Sequence, residues 1–216
     1  AALVLYVVTA IGVAFGFFWL TTMKFSLQLE DAAGTDPLTR LYNRRTFLRA
    51  CEIEMSNSQR ARRTFSILML DLDHFKQIND RYGHPVGDMA LVATVKCMTE
   101  SVRGMDTIAR WGGEEFAVLL PNCNRVNALE LAERIRGNLE RLALPVPKRA
   151  NAEGEKVTLT ATIGVAMCQT TDTVNSLISR ADQAMYAAKA AGRNRVLSAS
   201  EIGSGEWRVV SGESAG

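Results

Sequence analysis

The residues best suited to chemistry are carboxylates that end short apolar runs. Asp71 and Asp73 close the run Phe65 to Leu70, and the two-residue alternation of an extended chain sends both side chains to one face. A carboxylate at the mouth of a buried strand is costly unless it is paired or bound to a cation. Asp73 alone would also serve as the cap of a helix starting near His74. A second acidic element, Gly112-Gly113-Glu114-Glu115, separates two strand-like runs, Thr107 to Trp111 and Phe116 to Leu120. Its glycines allow the positive φ angles of a tight hairpin turn and close approach of a ligand to the backbone. Taken alone, such a turn reads as a solvated hairpin. If the two strands are neighbours, Asp71 and Glu114 meet at one edge of a sheet. Paired carboxylates there suit Mg²⁺, which takes few protein oxygens and completes its shell with phosphates and water.

The elements that must position these groups follow from periodicity. Phe65 to Leu70 reads as a buried strand, and a helix is expected over 43 to 61 before it. Over 87 to 102, Leu91, Val92, Val95, Met98 and Val102 share one helical face. Ala128 to Leu142 is an amphipathic helix, Val157 to Met167 is rich in β-branched residues, Leu177 to Ala191 is a last helix ending at Gly192, and Arg195 to Ser198 is a short strand. The order α, β, α, hairpin, α, β, α, β predicts an α/β (α+β) fold, a mixed sheet with helices packed on it. Asp36-Pro37 opens this domain, because Asp36 can cap a helix whose first position suits proline. The domain therefore spans 36–200.

Composition bounds the rest. The chain has 216 residues, 47% of them hydrophobic, and a net charge of +2, enough for one catalytic-sized core. Basic residues are scattered, Arg60, Arg62 and Arg63 being the densest cluster, so there is no electrostatic footprint for a nucleic acid polymer. Cys51, Cys97, Cys123 and Cys168 lack CxxC spacing and read as reduced structural thiols. Residues 1–23 carry no charge. A span of about 20 apolar residues crosses a bilayer as a helix, so a transmembrane helix is expected there. Trp19 and Lys24 would lie at the interface, with the catalytic domain on the cytoplasmic side of the inner membrane. A short helical stalk over 24–35, ended by Gly34, and a flexible tail over 201–216, in which Trp207 could dock, complete the expected organisation.

The stretch from Asp71 to Asp88 satisfies D-x-D-x-F-K-x-I-N-D-x-x-G-H-x-x-G-D at every fixed position. It resembles the GGDEF family of diguanylate cyclases, and the resemblance extends from Asp36-Pro-Leu-Thr-Arg-Leu-Tyr-Asn-Arg-Arg45, through Arg110-Trp-Gly-Gly-Glu-Glu-Phe116, to the segment Ala181 to Asn194. The resemblance implies a ferredoxin-like, nucleotidyl-cyclase palm fold with a mostly antiparallel sheet. It implies an enzyme that condenses two GTP molecules into cyclic di-GMP across a homodimer, with two Mg²⁺ (or Mn²⁺) ions per site. Asp71, the Leu72 carbonyl and Glu114 would hold the metal; Asn79 and Asp88 would read guanine, with His84 in the same pocket. Lys76 would stabilise phosphate charge, Lys189 and Arg193, taken as four apart on one helical face, would hold the terminal phosphates, and Glu114 or Glu115 would assist deprotonation of the ribose 3′-hydroxyl.

Arg103-Gly-Met-Asp106, ending with five residues between it and Gly112, resembles the RxxD site at which cyclic di-GMP inhibits such enzymes, with Arg134 placed as a second arginine. The plainer reading is a surface ion pair at i and i+3. An inactive domain that senses GTP or cyclic di-GMP is the competing function, but such domains usually lose an acidic or glycine position of the turn, and all are present here.

Overall fold

The computed structural model describes residues 11–22, 34–146 and 156–202. Its elements run α1 (residues 11–22), β1 (Tyr42–Asn43), α2 (Arg44–Ala61), β2 (Phe65–Leu72), α3 (Phe75–Tyr82), α4 (His84–Ser101), β3 (Thr107–Arg110) and β4 (Glu115–Pro121). They continue with α5 (Arg125–Arg141), β5 (Ala143–Pro145), β6 (Lys156–Thr158), β7 (Ala161–Met167), α6 (Val174–Ala190), β8 (Val196–Ser198) and α7 (Ala199–Ile202).

All eight residues of β2 are buried, because the strand is central and covered on both faces. Phe65, Ile67 and Met69 point to the side where Phe47 and Cys51 of α2 and Leu177, Ala181 and Met185 of α6 pack. Leu68, Leu70 and Leu72 point to the other, against Phe75, Leu91, Met98, Leu131 and Ile135 of α3, α4 and α5. Each such side chain, fully buried, stabilises the fold by about 1.5–3 kcal/mol. The sheet order is β1-β3-β4-β2-β7-β8. The three inner pairings are antiparallel and the two outer ones parallel, which bears out the mixed, mostly antiparallel sheet flanked by helices.

Several local expectations are corrected. The polar stretch after Asp73 folds into α3 and then α4, two helices joined at Gly83, whose φ of +84° only glycine adopts freely. Val157 to Met167 is two strands: β6 pairs with β5 in a separate two-stranded sheet, while β7 pairs with β2. Asp36 caps a turn, not a helix, taking the Thr39 N–H at 2.7 Å.

The membrane expectation is overturned. Among the described residues no helix is long and apolar enough to cross a membrane. The span over 1–23 and the inner-membrane location drawn from it are therefore withdrawn. Residues 1–10, the stalk positions 24–33 and the tail from 203, Trp207 included, lie outside the described residues.

Close packing of α6 on the sheet has one steric condition. A Cβ on Gly164 of β7 would lie 2.0 Å from the Ala181 carbonyl oxygen and 2.4 Å from the Met185 nitrogen. Gly164 sits opposite Met69, and two residues along the same strands Thr162 sits opposite Asp71. Lys189, four residues beyond Met185 on the same helical face, is thereby set over that strand end. Gly164→Ala should destabilise the fold by about 2 kcal/mol or more, the cost of overpacking against backbone. Urea denaturation tests this, and an unchanged midpoint would contradict it.

Candidate active site

The odd-numbered face of β2 that buries Phe65, Ile67 and Met69 ends in Asp71, and the corresponding face of β4 runs from Leu119 and Ala117 to Glu115. Asp71 is directly opposite Glu115 on one side and Thr162 on the other. The carboxylate facing Asp71 by register is thus Glu115, where Glu114 was expected. Glu114 is one residue out of step, before the strand begins, and its carbonyl accepts the Leu72 N–H at 3.2 Å.

Asp71 is 8% exposed, and the Lys189 ammonium lies 2.8 Å from its Oδ2. Burial pushes the Asp71 carboxyl up; the bond and charge of Lys189 and the charge of Arg193 pull against it, while the nearby Asp73 charge adds to the rise. Burial likewise raises Glu115, and the Asp71 charge raises it further, with Lys189 opposing. The site therefore concentrates negative charge around a single paired ammonium. Among the described residues no three His, Cys, Asp or Glu side chains gather as a metal cage. Two opposed carboxylates fit Mg²⁺ that draws its remaining oxygens from phosphates and water.

The Gly-Gly turn is held from outside. Its glycines are absent from the positive-φ residues, so the expectation of positive φ angles in the turn is corrected. Gly112 is needed for space, since its Cβ would lie 2.7 Å from Glu115 Oε2, whereas Gly113 is open to solvent. The Arg110 guanidinium donates to the Gly112 carbonyl at 3.2 Å, to the Gly113 carbonyl at 2.7 Å and to both Asp36 carboxylate oxygens at 3.1 Å. Burial alone would raise Asp36, but hydrogen bonds from Thr39 and Arg110 outweigh it and hold the carboxyl below its ordinary value. Trp111 is packed edge-on against Phe47 and under the Arg44 guanidinium, 4.4 Å from the ring centroid. No role for Arg110 emerges from sequence reasoning alone; the readable signal is an arginine two residues before a Gly-Gly pair whose carbonyls lie outside the ladder.

The remaining expected groups divide between two faces. Asn79 on α3 is half-buried under α4, where a Cβ on Gly87 would lie 1.9 Å from its Oδ1. His84 and Asp88 are exposed on the first turns of α4, and Lys76 is exposed on α3. Lys189 is in the last turn of α6, but Arg193 lies beyond the helix at a φ of +61° and does not share its face. Asp73 does not cap α3. His74 occupies the cap position, and the Asp73 carboxylate instead takes the hydroxyls of Thr160 and Thr162 and the Asn194 N–H. All four cysteines are free, as expected.

Arg103, Asp106 and Arg134 line one cavity of about 120 Å³, together with Cys123, Asn127 and Glu130. The simple ion pair is replaced by a local turn: Asp106 Oδ2 accepts the Arg103 backbone N–H at 2.8 Å. Arg134 reaches over from α5 to the Ser101 carbonyl at 2.7 Å.

A family model described as "Diguanylate cyclase, GGDEF domain" matches residues 33–195. The probable diguanylate cyclase DgcT of Escherichia coli is 39% identical over 169 residues, covering 78% of this chain and 36% of the relative. Diguanylate cyclase DgcM of the same organism is 40% identical over 172 residues, covering 80% and 40%. The chain thus spans two fifths or less of these relatives' length. The GGDEF domain of DgcB from Caulobacter crescentus, solved in complex with cyclic di-GMP, superposes with a TM-score of 0.72 at 32% identity, covering 77% of this chain and 93% of that one. With the same palm-like sheet and the acidic strand ends at its edge, the chain belongs to the GGDEF-domain diguanylate cyclase family.

Proposed function

We propose that the chain condenses two GTP molecules into cyclic di-GMP with release of two pyrophosphates, each copy binding one GTP and two copies facing each other in a homodimer. The observation that carries this reading is the pairing of buried Asp71 with half-buried Glu115 across β2 and β4, a surplus of negative charge beside a Gly-Gly turn held by Arg110. The competing sensor reading gains nothing from that surplus, because a module that only binds an anionic nucleotide is served better by neutral donors.

In each half-reaction the 3′-oxygen of one GTP forms a bond to the α-phosphorus of the other, and the bond from that phosphorus to the bridging oxygen of the β-phosphate breaks. The hydroxyl proton passes to Glu114 or Glu115 and then to solvent. A carboxyl raised by burial, as Glu115 is, is a better base near neutral pH than an ordinary one. Divalent ions, Mg²⁺ or Mn²⁺, held by Asp71, the Leu72 carbonyl and Glu114 would supply charge stabilisation for the attacking and leaving oxygens. Asn79 and Asp88, flanked by His84, offer an amide and a carboxylate to the acceptor and donor edge of guanine. Lys76, Lys189 and Arg193 meet the phosphate charge. Since Lys189 is committed to Asp71 in this state, its ammonium turns to phosphate only as the Asp71 charge is matched in another way.

The cavity lined by Arg103, Asp106 and Arg134 offers groups for part of the product. Arg103 and Arg134 supply forked donors for phosphate or guanine, and Asp106 an acceptor for guanine N–H groups. Occupancy there would give feedback inhibition.

Incubation with GTP and Mg²⁺ should yield cyclic di-GMP and pyrophosphate by mass spectrometry, ATP should yield no cyclic product, and Glu114→Ala should lower the rate by roughly a hundredfold or more. Equal product from Glu114→Ala and parent would refute the assignment. Calorimetric titration with cyclic di-GMP should show saturable binding that Arg103→Ala weakens by roughly tenfold; no binding, or binding unchanged by the substitution, would remove the inhibitory site.

A further inference from the structure

The segment that carries Arg193 is tied down from two directions by residues to which no role in the reaction has been assigned. Asp73 is 5% exposed, and its charge is met by hydrogen bonds, not by any ion pair among the described residues. Its carboxylate accepts from the Thr162 hydroxyl at 2.6 Å, the Thr160 hydroxyl at 2.9 Å and the Asn194 backbone N–H at 3.0 Å. Strand β7, the residue just before it and the loop after α6 thus converge on one buried carboxylate. From the side, the Asn194 amide bridges α5: its Oδ1 accepts from Arg136 at 2.8 Å and its Nδ2 donates to Glu140 at 2.8 Å. Arg136 is itself fixed by Glu133 at 2.8 Å and Glu140 at 3.0 Å.

This clamp holds an unusual backbone. Gly192, Arg193 and Asn194 have φ angles of +118°, +61° and +44°, and two successive non-glycine residues in the left-handed region persist only where the surroundings over-determine them. The bend follows directly on the end of α6, with the Arg193 N–H bonded to the Ala188 carbonyl at 3.2 Å. Arg193 consequently lies between two anchors on the same strand end: Lys189 on Asp71, and Asn194 on Asp73. Its charge is near enough to act on the Asp71 carboxyl.

We propose that Asp73, Arg136 and Asn194 are positioning residues that hold the Arg193 guanidinium in place for the triphosphate of the bound nucleotide. They act through the shape of the 192–194 bend and touch no substrate atom. The proposal rests on the phosphate role given to Arg193 above, and the test separates the two.

The full chain, with Mg²⁺, is titrated calorimetrically with the α,β-methylene analogue of GTP, which binds but cannot react. Arg193→Ala, Arg136→Ala, Asn194→Gly and the doubles Arg136→Ala/Arg193→Ala and Asn194→Gly/Arg193→Ala are compared, each checked by thermal melting to be folded at the assay temperature. Asn194→Gly keeps the backbone N–H for Asp73 and relieves the left-handed strain, so it removes only the tie to α5. Arg136→Ala and Asn194→Gly should each weaken binding roughly three- to tenfold, and neither should weaken it further once Arg193 is alanine, because coupled residues are non-additive. A purely structural role would instead multiply the losses. Multiplied losses, or full-strength binding by both single variants while Arg193→Ala binds weakly, would overturn the positioning proposal and leave Arg193 as a phosphate ligand. Full-strength binding by Arg193→Ala would overturn that role and the positioning proposal with it.

Discussion

A carboxylate buried at the end of a central strand constrains everything around it. Asp71 ends a row that is otherwise Phe65, Ile67 and Met69, so the register that fills the core on the α2 and α6 side also forces a charge into that side. Slipping the strand by one residue would bury Leu72 there and turn Asp71 against α3 and α4. The charge is tolerated because α6 approaches closely enough, over the bare backbone of Gly164, to bring Lys189 within 2.8 Å. Packing and electrostatics are therefore one problem at this edge. A change that lifts α6 from the sheet also separates the ion pair.

Glu115 keeps the problem from being fully solved. One ammonium faces Asp71 and Glu115 together, with Asp182 and Glu114 adding to the field at Glu115. A structure selected for stability alone would replace one of these acids. These acids, next to a turn held by Arg110, Asp36 and Trp111, are what the proposed binding of cations with phosphates would use. The Arg110 guanidinium ties down the carbonyls of the turn, while Gly113 stays open to solvent.

Much of this was legible beforehand, for identifiable reasons. Strand β2, the hairpin strands β3 and β4, and helices α2, α4, α5 and α6 follow from periodicity, because each has one long apolar run or face. The separation of α3 from α4 was not, since Gly83 sits inside a polar stretch where a 3.6-residue pattern is faint. Nor was the division of β6 from β7, which depends on Thr160 turning toward Asp73 across 87 residues of chain. Alternation placed Asp71 and Asp73 on one face but could not say that Glu115, not Glu114, lies opposite, because hairpin register depends on where the ladder ends. The helical spacing of Lys189 and Arg193 misled for a similar reason: α6 ends between them, and a left-handed bend re-aims the second residue. The uncharged stretch at 1–23 read as a membrane span, whereas no described helix reaches the necessary length.

In the proposed reaction the Asp71 and Glu115 carboxyls are held against burial and each other until cations with phosphates arrive. Carbon-detected NMR titration of the two side-chain carboxyls, with and without Mg²⁺ and the α,β-methylene analogue of GTP, tests it most directly. Both carboxyls should titrate above their ordinary ranges in the free chain, and both should fall when the ligands are added. Ordinary values in the free chain, unmoved by metal and nucleotide, would contradict it.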